Sequence, residues 1–76
     1  MIDITQTLDV RGQSCPLPVV RASQAIKQLE SGQVLEVLAT DPGSLTDFPA
    51  WAKSTGNQIV QQDQEDGVFR YVVQKA

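Results

Sequence analysis

Two hydrophobic periods alternate along this chain, and their order leaves few folds open. Ile2, Ile4, Leu8 and Val10 occupy even positions, the period of two expected of a half-buried first strand. Arg11-Gly12-Gln13-Ser14 then reads as a loop. From Pro16 the period changes: Val19, Ala22, Ile26 and Leu29 recur at steps of three and four. That predicts one apolar stripe on a helix, with Arg21, Gln24, Lys27 and Gln28 on the wet side and Gly32 as the stop. Val34–Ala39 is short and nearly continuously apolar, as in an interior strand. Asp41-Pro42-Gly43-Ser44 breaks it. Leu45, Phe48, Trp51 and Ala52 mark a second helix, with Leu45, Phe48 and Trp51 expected in the core. Because proline suits only a first turn, Pro49 predicts Asp47 as the N-cap, and Gly56 closes the helix. Residues 58–63 and 68–74 read as two strands joined around Glu65-Asp66-Gly67, a strong hairpin signal.

The resulting order is β-α-β-α-β-β. With 76 residues the chain is expected to form one domain, 1–76. Right-handed crossovers place both helices on one face of a four-stranded mixed sheet, an α/β (α+β) two-layer sandwich. The first two strands are then parallel. The loops leaving their C-terminal ends, 11–15 and 40–44, open on the same edge of the sheet, where reactive groups gather in open α/β sheets.

What the chain lacks narrows its chemistry. There is no histidine, which removes Ser-His-Asp and Cys-His catalysis and imidazole metal sites. The single cysteine, Cys15, excludes an internal disulfide, a cysteine zinc cage and a cycling C-x-x-C oxidoreductase. No metal or cofactor is expected. A lone thiol fits a reducing, cytoplasmic compartment, and no apolar run suggests a leader or membrane insertion. The net charge of −3 argues against stable nucleic-acid binding. Charge is unevenly spread, however: Arg11, Arg21 and Lys27 lie between Val10 and Leu29 without an acid among them. The acidic cluster Asp63, Glu65 and Asp66 reads as a solvated hairpin.

Cys15-Pro16-Leu17-Pro18 falls where the loop becomes the first helix. The expected placement puts Cys15 at the N-cap and Pro16 at the first helical position, with Pro18 in the same turn. The two prolines remove two of the three backbone donors after the cysteine and leave Leu17 N–H as the nearest free one. A sulfur at the positive end of a helix, near Arg11 and Arg21, favours thiolate, the form that attacks sulfur. A carrier of one sulfur atom needs a single thiol. The same residues also fit an inert, buried cysteine.

The segment Leu8-Asp9-Val10-Arg11-Gly12-Gln13-Ser14-Cys15-Pro16-Leu17-Pro18 resembles the L-D-x-x-G-x-x-C-P-x-P signature of the TusA/SirA-type sulfur carriers. Arg21, Thr40-Asp41-Pro42, Trp51 and Gly56 extend the resemblance over the chain. It implies that Cys15 accepts a persulfide sulfur from a donor protein, a cysteine desulfurase or rhodanese-like enzyme. The sulfur then passes to an acceptor protein in tRNA thiolation, molybdenum-cofactor assembly or sulfur oxidation. It further implies that Pro16 and Pro18 frame the cysteine, that Asp9 and Gly12 shape the preceding turn, and that Asp41 contributes to docking with Arg11, Leu17 and Arg21. Leu17 stands where some tRNA-thiolation members carry an acid, and Ser23 where some carry a base, which leans towards a general or sulfur-oxidation relay. The competing reading is a non-catalytic regulatory module in which Cys15 is structural and the basic helix docks an acidic or membrane-transport partner.

Overall fold

The six elements occur in the expected order in a computed structural model that describes residues 3–14 and 16–76. They are β1 (Gln6–Val10), α1 (Leu17–Ile26), β2 (Val34–Ala39), α2 (Ser44–Thr55), β3 (Gln58–Glu65) and β4 (Val68–Gln74). The sheet order is β1-β2-β4-β3, with β1 and β2 parallel and the other two pairings antiparallel. Alternation along the strands sorts the side chains. Leu35, Val37 and Ala39 of β2 lie opposite Val73, Tyr71 and Phe69 of β4, and all six are buried on one face. Ala22, Ala25 and Ile26 of α1 and Phe48, Trp51 and Ala52 of α2 join the same cluster, so both helices cover that face. Phe48 stacks on Tyr71 at 4.6 Å and meets Trp51 edge-on at 5.8 Å.

The opposite face carries no helix and is held by charge. The Arg70 guanidinium bonds Glu36 and, at 3.0 Å, Asp63 Oδ2. Thr7 donates its hydroxyl to Glu36 Oε1 at 2.9 Å. The Arg70 hydrogen bond holds the Glu36 carboxyl below its ordinary range. At the hairpin, Asp66 and Gly67 both have positive φ (51° and 78°), the conformation of a two-residue type I′ turn joining the paired residues Glu65 and Val68.

Several boundaries differ from the periodicity. β1 begins at Gln6, because pairing with β2 starts at Gln6 opposite Leu35. Ile4 lies before the strand and is exposed, while Ile2 falls outside the described residues. α1 ends at Ile26 rather than near Gly32. Tighter bonds, Gln28 N–H to Ala25 O and Leu29 N–H to Ile26 O, carry the chain onward and still bury Leu29. β3 runs to Glu65, two residues past the expected end.

The largest correction concerns α2. It starts at Ser44, with Gly43 at the N-cap, so Asp47 is a first-turn residue and Pro49 stands inside the helix. Proline there deprives the Leu45 carbonyl of its helical donor. Both residues are exposed, which lets water serve that carbonyl. Leu45 is therefore not a core residue: it is 42% exposed. Ser44 takes the inward position and pairs its hydroxyl with that of Tyr71 at 2.7 Å, both residues being buried. Phe48 and Trp51 are buried as expected.

Candidate functional site at the parallel sheet edge

Parallel pairing makes β1 and β2 leave the sheet on the same side, so the loop after Val10 and the loop after Ala39 run beside each other. The first loop is built by Asp9 and Arg11. Asp9 Oδ1 accepts the Arg11 backbone N–H at 3.0 Å and the Arg11 Nε at 2.9 Å, and Oδ2 accepts Nη2 at 2.8 Å. This two-pronged contact with the Arg11 side chain lowers the Asp9 carboxyl from 3.8 to about 2. Reciprocally, the Asp9 hydrogen bond raises Arg11.

Gly12 follows with φ of 82°, the left-handed conformation that a side chain disfavours. Gln13 N–H closes the turn onto the Val10 carbonyl at 3.2 Å. Gly12 N–H donates to Thr40 Oγ1 at 2.8 Å, which ties the first loop to the second. Asp9 thus bonds the backbone of this turn, and Gly12 supplies its positive φ.

The helix entry departs from the expected placement in two ways. Pro16, not Cys15, takes the N-cap of α1, and Pro18 is at its second position, buried. Leu17 N–H is not free: it donates to the Ser14 carbonyl at 3.0 Å, and Val20 N–H donates to the Pro16 carbonyl at 3.1 Å. Spacing alone does not reveal that the Ser14 carbonyl takes the Leu17 donor. Cys15, the residue expected to carry the chemistry, lies outside the described residues. Its immediate neighbours, Ser14 and Pro16, are both exposed.

Of the residues expected to meet a partner, Leu17 is half exposed, at 51%. Val20 and Leu45, the latter from the start of α2, are the other large apolar side chains exposed near helix entries. Arg21 is exposed and lines a shallow hollow with Gln6, Leu8, Gln24 and Gln28, on the β1 flank of α1. Asp41 is half-buried, and its carbonyl accepts Ser44 N–H at 3.0 Å. Arg11 is engaged with Asp9, so its charge is not spare. Among the described residues no cluster of His, Cys, Asp and Glu has the geometry of a metal site, and no helix is long and apolar enough to cross a membrane.

Sequence reasoning placed Thr40 in the second loop and in the Thr40-Asp41-Pro42 match but gave it no role in the site. The available signal was its position one residue past the last β1–β2 pair, Val10 with Ala39, which sets it beside the loop containing Gly12.

Comparison with known proteins finds relatives over nearly the whole chain. The profile of a family described as Sulfurtransferase TusA matches residues 6–75. The chain is 47% identical, over its whole length and that of its relative, to the sulfur carrier protein TusA of Allochromatium vinosum. Its fold is similar to the crystal structure of a SirA-like protein from Desulfitobacterium hafniense, with a TM-score of 0.82 and 33% identity. That match covers 92% of this chain and 96% of the other.

Proposed function

The chain belongs to the sulfurtransferase TusA family, and we propose that within it Cys15 is the atom on which sulfur is carried. What carries this reading is the frame around position 15. The only thiol in the sequence is bonded directly to the cap residue of α1, at the end of a loop held by the Asp9–Arg11 pair and the Gly12–Thr40 bond. A helix start lowers the cost of negative charge, so the thiolate is favoured there.

Loading proceeds as a thiol–persulfide exchange. The Cys15 thiolate attacks the outer sulfur of a donor persulfide, R–S–SH, and a new S–S bond forms as the old one breaks. The electron pair leaves with the donor as R–S⁻, and Cys15 becomes Cys15–S–SH. No oxidant is consumed. Delivery is the same exchange in reverse, towards an acceptor protein. The donor is a cysteine desulfurase or rhodanese-like protein, and the chain acts as a sulfurtransferase only together with such partners in the cytoplasm. Leu17, Val20 and Leu45 supply the apolar part of the docking surface, with Arg21 and Asp41 at its margin. An apolar Leu17 beside the sulfur suits a general or sulfur-oxidation relay.

The test is the intact mass of the protein after incubation with glutathione persulfide. The wild type is expected to gain one sulfur atom and Cys15→Ser none. An unchanged wild-type mass, under conditions that load an established carrier, overturns the assignment.

A further inference from the structure

We propose that Thr40 is a positioning residue for sulfur transfer, its hydroxyl anchoring the loop that presents Cys15; this rests on the carrier function proposed above. Thr40 follows Ala39, the fully buried last residue of an interior strand, so its backbone has a fixed starting point. From there the hydroxyl oxygen accepts Gly12 N–H at 2.8 Å. Among the described residues of the cysteine loop Gly12 is the one with positive φ, and beyond its chain neighbours no heavy atom is found within 4 Å of where its Cβ would sit. Glycine is therefore needed for its backbone conformation and not for lack of room. Open space at the Gly12 position leaves little packing there to hold the shape of the turn. Hydrogen bonds must do so, and the one to Thr40 comes from the rigid side of the edge.

Gly12 is exposed, so water replaces the lost acceptor when the hydroxyl is removed. The fold then survives while the loop's position relative to α1 loosens. That separates positioning from stability. A sulfur that drifts from the helix entry loses part of the field favouring its ionised form, so reactivity and the pH at which it appears move together.

The experiment compares wild type, Thr40→Val, Thr40→Ala and Thr40→Ser. Two rates are followed: sulfur acceptance from glutathione persulfide, and alkylation of Cys15 by iodoacetamide as a function of pH. Both variants without the hydroxyl are expected to accept sulfur about fivefold more slowly, the size of one lost hydrogen bond. Their alkylation midpoints are expected at higher pH than wild type, with circular dichroism unchanged, and Thr40→Ser is expected to restore both properties. Wild-type rates and an unmoved midpoint in the folded Val or Ala variant overturn the proposal, as does a serine variant that fails to rescue. Failure of the wild type to take up sulfur counts against the carrier function instead, and the alkylation profiles still decide the role of Thr40.

Discussion

Asp9 and Arg11 form a closed pair on an open surface: each is about half exposed, yet three hydrogen bonds join them. Their coupling has a definite pH signature. The Asp9 carboxyl falls from 3.8 to about 2 on folding, chiefly through the Arg11 side chain. A depressed carboxylate adds stability that is complete above its unfolded value and disappears as pH drops from about 3.8 to about 2. The turn before Cys15 is therefore insensitive to pH wherever thiol chemistry is practicable. An NMR titration of the Asp9 carboxyl is expected to give a midpoint of about 2, rising towards 3.8 in Arg11→Ala, which loses the side-chain bonds and keeps the one from the backbone N–H. A wild-type midpoint near 3.8 contradicts the pairing. At this scale the local part was legible in advance, because the Asp9–Arg11 contact and the positive φ of Gly12 lie within a few residues of chain, whereas the Gly12–Thr40 bond spans 28 positions and was not. Leu45 and Ser44 were not. The two residues are adjacent, so either begins a plausible helical stripe, and the choice went to Ser44 through a hydroxyl contact with Tyr71 from a distant strand.

The secondary-structure elements show where local rules yield to packing. Proline inside a helix costs about 3 kcal/mol relative to alanine, and that rule placed the start of α2 after Asp47. The first turn nonetheless forms earlier, stitched by Ser44, Leu45 and Thr46 N–H groups to the carbonyls of Asp41, Pro42 and Gly43. Burial of Ser44 and Phe48 fixes it there. Pro49→Ala is accordingly expected to stabilise the protein by about 1–2 kcal/mol in urea unfolding, after part of the helical gain is offset by a freer unfolded chain. A loss of stability in that variant contradicts a helix that runs through position 49. The hairpin shows the opposite case. Asp66-Gly67 needs no tertiary help, since the turn chemistry and the β3–β4 register demand the same two positive φ values. Its legibility in the sequence follows from that agreement.

For the molecule as a whole, topology delivers the chemistry to an edge. Two parallel strands place the Cys15 loop and the Thr40 loop side by side, one face of the sheet is filled by helices, and the other is closed by the Glu36–Arg70–Asp63 ion pairs. The reaction partner must then supply much of the active-site wall, which suits a carrier that meets first a donor and then an acceptor. The order of elements was readable from hydrophobic period where an element buries a face of its own, as α1, β2, α2 and β4 do, whereas β3, exposed along nearly its whole length, was readable from the hairpin turn that follows it. The partner was not, since the surface that recognises this chain belongs to another protein. The most direct measurement is cyanolysis of the sulfur-loaded protein, because cyanide removes the outer sulfur of a persulfide as thiocyanate. Thiocyanate in an amount equal to the loaded chain, with the mass returning to that of the free protein and no release from Cys15→Ser, is the expected result. Sulfur that stays on the protein, or thiocyanate released equally from Cys15→Ser, contradicts a persulfide carried at Cys15.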